Sequence, residues 1–99
     1  MYKPLLVVIV LIVSGCSSLH QQAVKPRILI STDIGGTDPD DNQSMTHLLM
    51  YSDLFTIEGL VSSPSYGTGS KEEILRMISL YEQDLPELRK HNKELVEPD

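Results

Sequence analysis

Between residues 27 and 50 the hydrophobic period changes once, across a single turn, and this change restricts the fold more than any other feature. Arg27-Ile28-Leu29-Ile30-Ser31-Thr32 carries a continuous apolar run, which suits a strand covered on both faces, as in parallel sheets. From Asp41 onward, Met45, Leu48, Leu49 and Ser52 fall at helical spacing on one face, and Asp40 or Asp41 can cap the helix. The pattern then repeats. Phe55 to Val61 reads as a second strand, Ser62 to Gly69 as a loop, and Ser70 as the N-cap of a second helix, with Glu73 completing a capping box. That helix places Ile74, Leu75, Ile78 and Tyr81 on one face, and Asp84-Leu85-Pro86 interrupts it before a short further helix to about Leu95. Strand–helix–strand–helix with short connections specifies an α/β fold: the βαβα portion of a parallel, helix-covered, Rossmann-like sheet. A parallel sheet buries both faces, so two strands leave it incomplete, and the chain is expected to be the N-terminal part of a larger domain.

The first 26 residues read as an address and a tether. Lys3 gives a positive start, Leu5 to Val13 is apolar, and Val13-Ser14-Gly15 places small residues before Cys16. Nine apolar residues span only about 13 Å as a helix against a hydrocarbon core of about 30 Å, which favours a signal peptide over a spanning segment. The pattern resembles a bacterial lipobox, and on that resemblance residues 1–15 are removed and Cys16 is acylated, so the membrane is reached through a lipid anchor only. Ser17 stands where an aspartate would favour the inner membrane, so the expected location is the cell envelope, leaning to the outer membrane. Residues 16–26 are the tether and residues 27–99 the domain. Cys16 is the sole cysteine, so no internal disulfide can form.

Loss of residues 1–15 leaves 84 residues, with 7 basic against 14 acidic side chains. Nucleic acid and anionic membrane surfaces both need a basic patch and are excluded as direct partners. Phe55 is the one aromatic residue besides the tyrosines, so no stacking platform is evident.

The turn between the first strand and the first helix carries the chemistry. Asp33, Asp38, Asp40 and Asp41 lie within nine residues, at the carboxyl end of a strand, where open α/β sheets bind ligands. Such clustering is unfavourable unless solvent or a cation compensates. Hard oxygen donors favour Ca²⁺, with Mg²⁺ second, over zinc, and Gly35 and Gly36 let the backbone double back so that Asp33 and Asp41 converge. A phosphate cradle would want backbone N–H groups and a lysine, not four acids. An EF-hand loop counted from Asp33 would end on Ser44 where glutamate is required. A solvated, helix-capping acidic turn is the alternative that composition leaves open.

The stretch Thr32-Asp33-Ile34-Gly35-Gly36-Thr37-Asp38-Pro39-Asp40-Asp41-Asn42-Gln43-Ser44-Met45 resembles the first motif of the inosine-uridine nucleoside hydrolase superfamily, DxDxGxDD. Its longer form is similar to the nucleoside-hydrolase-like domain of bacterial cellulose-binding proteins, as are Leu48-Leu49-Met50-Tyr51-Ser52 and Ile57-Glu58-Gly59-Leu60. The resemblance implies that Asp33 binds Ca²⁺ and orients or deprotonates the attacking water. It implies that Asp41 is a second Ca²⁺ ligand and that Asp40, with the added Asp38 beside it, holds substrate hydroxyls. The implied reaction is hydrolysis of an N-glycosidic or related bond in a nucleoside or carbohydrate. Three departures stand against a simple transfer of that activity. Ser31 replaces the family's first aspartate, two extra residues precede the Asp pair, and Ser62-Ser63-Pro64-Ser65 replaces the usual Gly-Asn. The family also completes its metal site from segments further along, so the 99 residues are expected to lack activity alone. A non-catalytic polysaccharide-binding module is the other reading.

His47 is expected on a helix rather than in a catalytic role, His91 on a solvated face, and Met45, Met50 and Met77 in the core. Tyr66, in a glycine-flanked loop, is a candidate for touching a ligand.

Overall fold

The computed structural model describes residues 23–99; the signal segment and Cys16 lie outside the described residues. Four elements follow in order: β1 (Arg27–Thr32), α1 (Asp40–Met50), β2 (Thr56–Ser62) and α2 (Lys71–Leu88). β1 and β2 pair in parallel, as the α/β reading requires, and among the described residues they make up the sheet. No described helix is long and apolar enough to cross a membrane.

Register decides which side chains face the core. Ile28 pairs with Ile57 and Ile30 with Leu60, because a bulge between Ile28 and Leu29 leaves Glu58 as the extra residue on β2. Ile57 and Leu60 are three apart, so in a regular strand they would point to opposite faces; the bulge returns both to the face that Ile28 and Ile30 share. Leu60 then packs against the helical core. The opposite face carries Leu29, 71 % exposed, and Val61, also exposed. The continuous apolar run thus differs from its expected two-sided cover, since the described helices provide residues for one side.

The core joins Met45 and Leu49 of α1 to Ile74, Met77, Tyr81 and Leu85 of α2, together with Ile34 and Leu95. Met77 is buried as expected, and Leu85 is buried where Leu75 was expected but is exposed, because α2 presents its Ile74–Met77–Tyr81–Leu85 stripe to α1. Met50 likewise lies exposed at the end of α1, not in the core. Helix α2 continues through Pro86, contrary to the expected break. Proline removes the N–H that would bond back to Glu82 and crowds that residue's carbonyl, but burial of Leu85 holds the last turn, where Arg89 N–H still reaches the Leu85 carbonyl at 2.9 Å. Residues 89–99 follow as turns and coil rather than helix.

Candidate metal centre

The acidic turn begins where β1 stops. Asp33 is the first residue past Thr32, and its carbonyl accepts the Gly36 N–H at 3.0 Å, closing a tight turn. Gly35 sits at the third position of that turn with φ +85°, a conformation side-chain-bearing residues rarely adopt. Ile34, in the middle of the turn, is 0 % exposed and anchors an otherwise polar loop to the core.

Two hydroxyls at the ends of the paired strands fix this loop, and they are paired in register, Thr32 with Ser62. Thr32 Oγ1 accepts the Ile34 N–H at 3.2 Å and donates to Asp41 Oδ2. Ser62 Oγ donates to the Ile34 carbonyl at 2.6 Å and accepts the Ser70 N–H at 2.8 Å. The neighbouring hydroxyls of Ser31 and Ser63 also pair, at 2.6 Å. Loop 63–69 leans on the same turn: a Cβ on Gly36 would stand 3.3 Å from Pro64 Cβ. Tyr66, on this loop, is 75 % exposed.

Helix α1 opens at Asp40 with Pro39 at its N-cap and no side-chain cap, which corrects the expectation that Asp40 or Asp41 caps it. Both acids instead occupy the first turn, at the positive end of the helix dipole. Asp38 Oδ1 accepts the Asp40 N–H at 3.4 Å, while Asp41 is turned toward Thr32.

One carboxylate oxygen from each of Asp33, Asp40 and Asp41 lies within 4.8 Å of the others. Oxygens on opposite sides of one Ca²⁺ are about 4.8 Å apart, twice a Ca–O distance of about 2.4 Å, so the three can share an ion. The donor set therefore fits a hard divalent cation. Asp33 and Asp41 converge, as the sequence suggests, and Asp40 joins them. Asp38 stands outside this trio, and His47 and His91 are exposed away from it.

The carboxyls differ in their hold on a proton. Asp33 is raised above the ordinary aspartate value, first by its hydrogen bond with Asp41 and then by that residue's charge. Asp40 is raised in the same way by Asp38. Asp41 is lowered, chiefly by the Thr32 hydroxyl and next by Asp33. Neighbouring acids pushed in opposite directions give one carboxylate that is charged early and one that holds its proton longer.

Residues 27–99 match the family model described as cellulose-binding Sde182, nucleoside hydrolase-like domain. The chain belongs to this family. No curated protein and no solved structure matches it. In this Sde182-type domain the matched span begins at the first residue of β1 and takes in all four described elements and the acidic turn.

The acids were legible from spacing and chemistry, but their supports were not. Thr32 and Ser62 carried no signal beyond being hydroxyl residues at the ends of apolar runs. Asn42 gives no sequence signal of its role either; its Nδ2 donates to Glu73 Oε1 at 2.5 Å and ties the first turns of the two helices. Glu73 reaches Asn42 and Arg76 instead of bonding back to Ser70, so only half of the expected capping box forms: Glu73 N–H donates to Ser70 Oγ at 3.1 Å. A groove of about 870 Å³ along β2 and α2 contains none of the four aspartates.

Proposed function

We propose that the acidic turn is a Ca²⁺ site and that the domain uses it to hydrolyse a glycosyl bond, N-ribosyl or a related glycosidic one. The convergence of Asp33, Asp40 and Asp41 at the carboxyl end of β1 carries this reading, and the family match supports it. Asp33 and Asp41 are the ion's principal ligands, with Asp40 able to join them. Ca²⁺ takes six to eight oxygens, so three carboxylates leave positions for water and for sugar hydroxyls. Bound there, the ion supplies the Lewis acidity that lowers the pKa of an adjacent water. Asp33 accepts the proton of the attacking water as general base. Asp40 and Asp38 accept hydrogen bonds from the hydroxyls of the sugar. The negative cluster stabilises positive charge as it develops at the anomeric carbon.

The test, on a version extended by the segments with which the family completes its site, is release of reducing sugar from a panel of nucleosides and cello-oligosaccharides, in Ca²⁺ and in chelator, with Asp33→Asn as control. Ca²⁺-dependent release that disappears in the variant is expected. The family's description as cellulose-binding favours a second reading, a polysaccharide-binding module without turnover. Absence of release from every substrate, together with co-sedimentation on insoluble cellulose, selects that reading.

The acylated Cys16 is proposed to hold the domain at the cell envelope, with residues 17–26 as spacer. Metabolic labelling with a palmitate analogue, lost in Cys16→Ala, is the expected result.

A further inference from the structure

We propose that Thr32 is a positioning residue of the cation site, its hydroxyl fixing the Asp41 carboxylate for the ion. The inference rests on the Ca²⁺ reading above and concerns a residue that is not itself among the ligands. Thr32 is the last residue of β1, and its hydroxyl joins three parts of the fold. It accepts the N–H of Ile34, whose side chain is wholly buried, and it donates to Asp41 Oδ2 in the first turn of α1. The direction follows from valence: a threonine hydroxyl has one proton, and an ionised carboxylate can only accept. This bond occupies one acceptor position of the Asp41 carboxylate, which has about four. The branched Cβ of Thr32 restricts χ1, so the strand backbone sets the direction of the hydroxyl. Of the three convergent acids, Asp33 and Asp40 are exposed, whereas the half-buried Asp41 receives this neutral donor. A carboxylate held in this way meets the ion without first being ordered, and losing such an outer partner typically costs 10- to 100-fold in metal affinity.

The experiment is a Tb³⁺ luminescence titration of the full chain with Ca²⁺ competition, plus excited-state lifetimes in H₂O and D₂O to count bound waters. Thr32→Val keeps shape and strand preference while removing the hydroxyl. It should bind about 10- to 100-fold more weakly and admit additional water to the ion. Thr32→Ser should restore the wild-type affinity and water count. Wild-type affinity and hydration in Thr32→Val would overturn the positioning role and leave the cation site standing. Absence of Tb³⁺ and Ca²⁺ binding by the wild-type chain overturns the cation reading, and this inference with it. Should Thr32→Val not fold, Thr32→Ser decides: a loss as large as that of Asp41→Asn overturns the role, since the hydroxyl is retained.

Discussion

Ser52 Oγ lies 3.0 Å from Tyr81 Oη, and the two close a ring of hydrogen bonds on the backbone of Val96. Tyr81 donates to the Val96 carbonyl at 2.7 Å, and the Val96 N–H donates to Ser52 at 3.1 Å. With its single proton committed to Val96, Tyr81 must accept from Ser52. The ring joins the end of α1, the middle of α2 and the C-terminal segment, and Ser52 within it is 4 % exposed. Ser52→Ala leaves the Val96 N–H without its partner and takes from Tyr81 the hydrogen bond it accepts, so a loss of about 1–3 kcal/mol is expected. Urea unfolding measures it, and hydrogen exchange should show the Val96 amide losing protection. A midpoint equal to wild type would show that the ring adds nothing.

Glu73 gives a pH dependence of known sign. The Arg76 guanidinium first, and then the Asn42 amide, lower its value from 4.5 to about 2. The ionised form is favoured by folding, so its contribution is complete above about pH 4.5 and is lost as pH falls toward 2. Melting temperatures of wild type and Glu73→Gln should therefore differ most at neutral pH and converge through that window. Comparing the two proteins cancels the titration of the aspartates, which are common to both. A gap that stays constant with pH removes the assignment.

What could be read in advance divides along the range of the interactions. The limits of β1, the Ser70 cap and the burial of Met45 and Leu49 follow from neighbours within one or two turns. The Glu58 bulge does not, because register belongs to two strands and is set by which pairs of residues meet the core. Ile34 gives no pattern in the sequence, because one apolar residue in a polar turn has no period, although its burial anchors the site. The acids declared themselves by charge and spacing. Thr32, which holds Asp41 across nine residues, needs the folded turn to become visible.

Asp33 carries a stability cost that a cation should relieve. Its folded value is raised above 3.8, first through Asp41, so its ionised form is disfavoured by folding at neutral pH. Asp33→Asn removes that charge and keeps the shape. In chelator at pH 7 the variant is expected to melt higher than wild type, and lowering the pH toward the ordinary aspartate range should close the gap. Added Ca²⁺ should raise the melting temperature of wild type and leave the variant unchanged, because ligand bound to the folded state stabilises by mass action. Differential scanning fluorimetry in the two buffers reads both effects. A variant that melts no higher in chelator would show that the acids do not repel one another appreciably.

Gly35 and Gly67 separate backbone strain from contact, because both have positive φ, +85° and +84°. A Cβ on Gly67 would meet nothing within 4 Å, whereas on Gly35 it would stand 2.7 Å from Ser70 Cβ and 3.0 Å from Ser70 N. Both substitutions to alanine force a left-handed conformation that costs roughly 1–2 kcal/mol. Only Gly35→Ala must also push the acidic turn away from the N-cap of α2, and Ser70 cannot yield easily while its N–H is bound to Ser62 and its hydroxyl accepts the Glu73 N–H. Gly67→Ala is therefore expected to lose about 1–2 kcal/mol and to keep its Tb³⁺ affinity. Gly35→Ala should lose more than this and should also weaken Tb³⁺ binding, since Asp33 and Asp41 move apart as the turn shifts. Equal losses in the two variants, measured by urea unfolding, would mean that the Ser70 contact is relieved at no cost and that the turn is not held against α2.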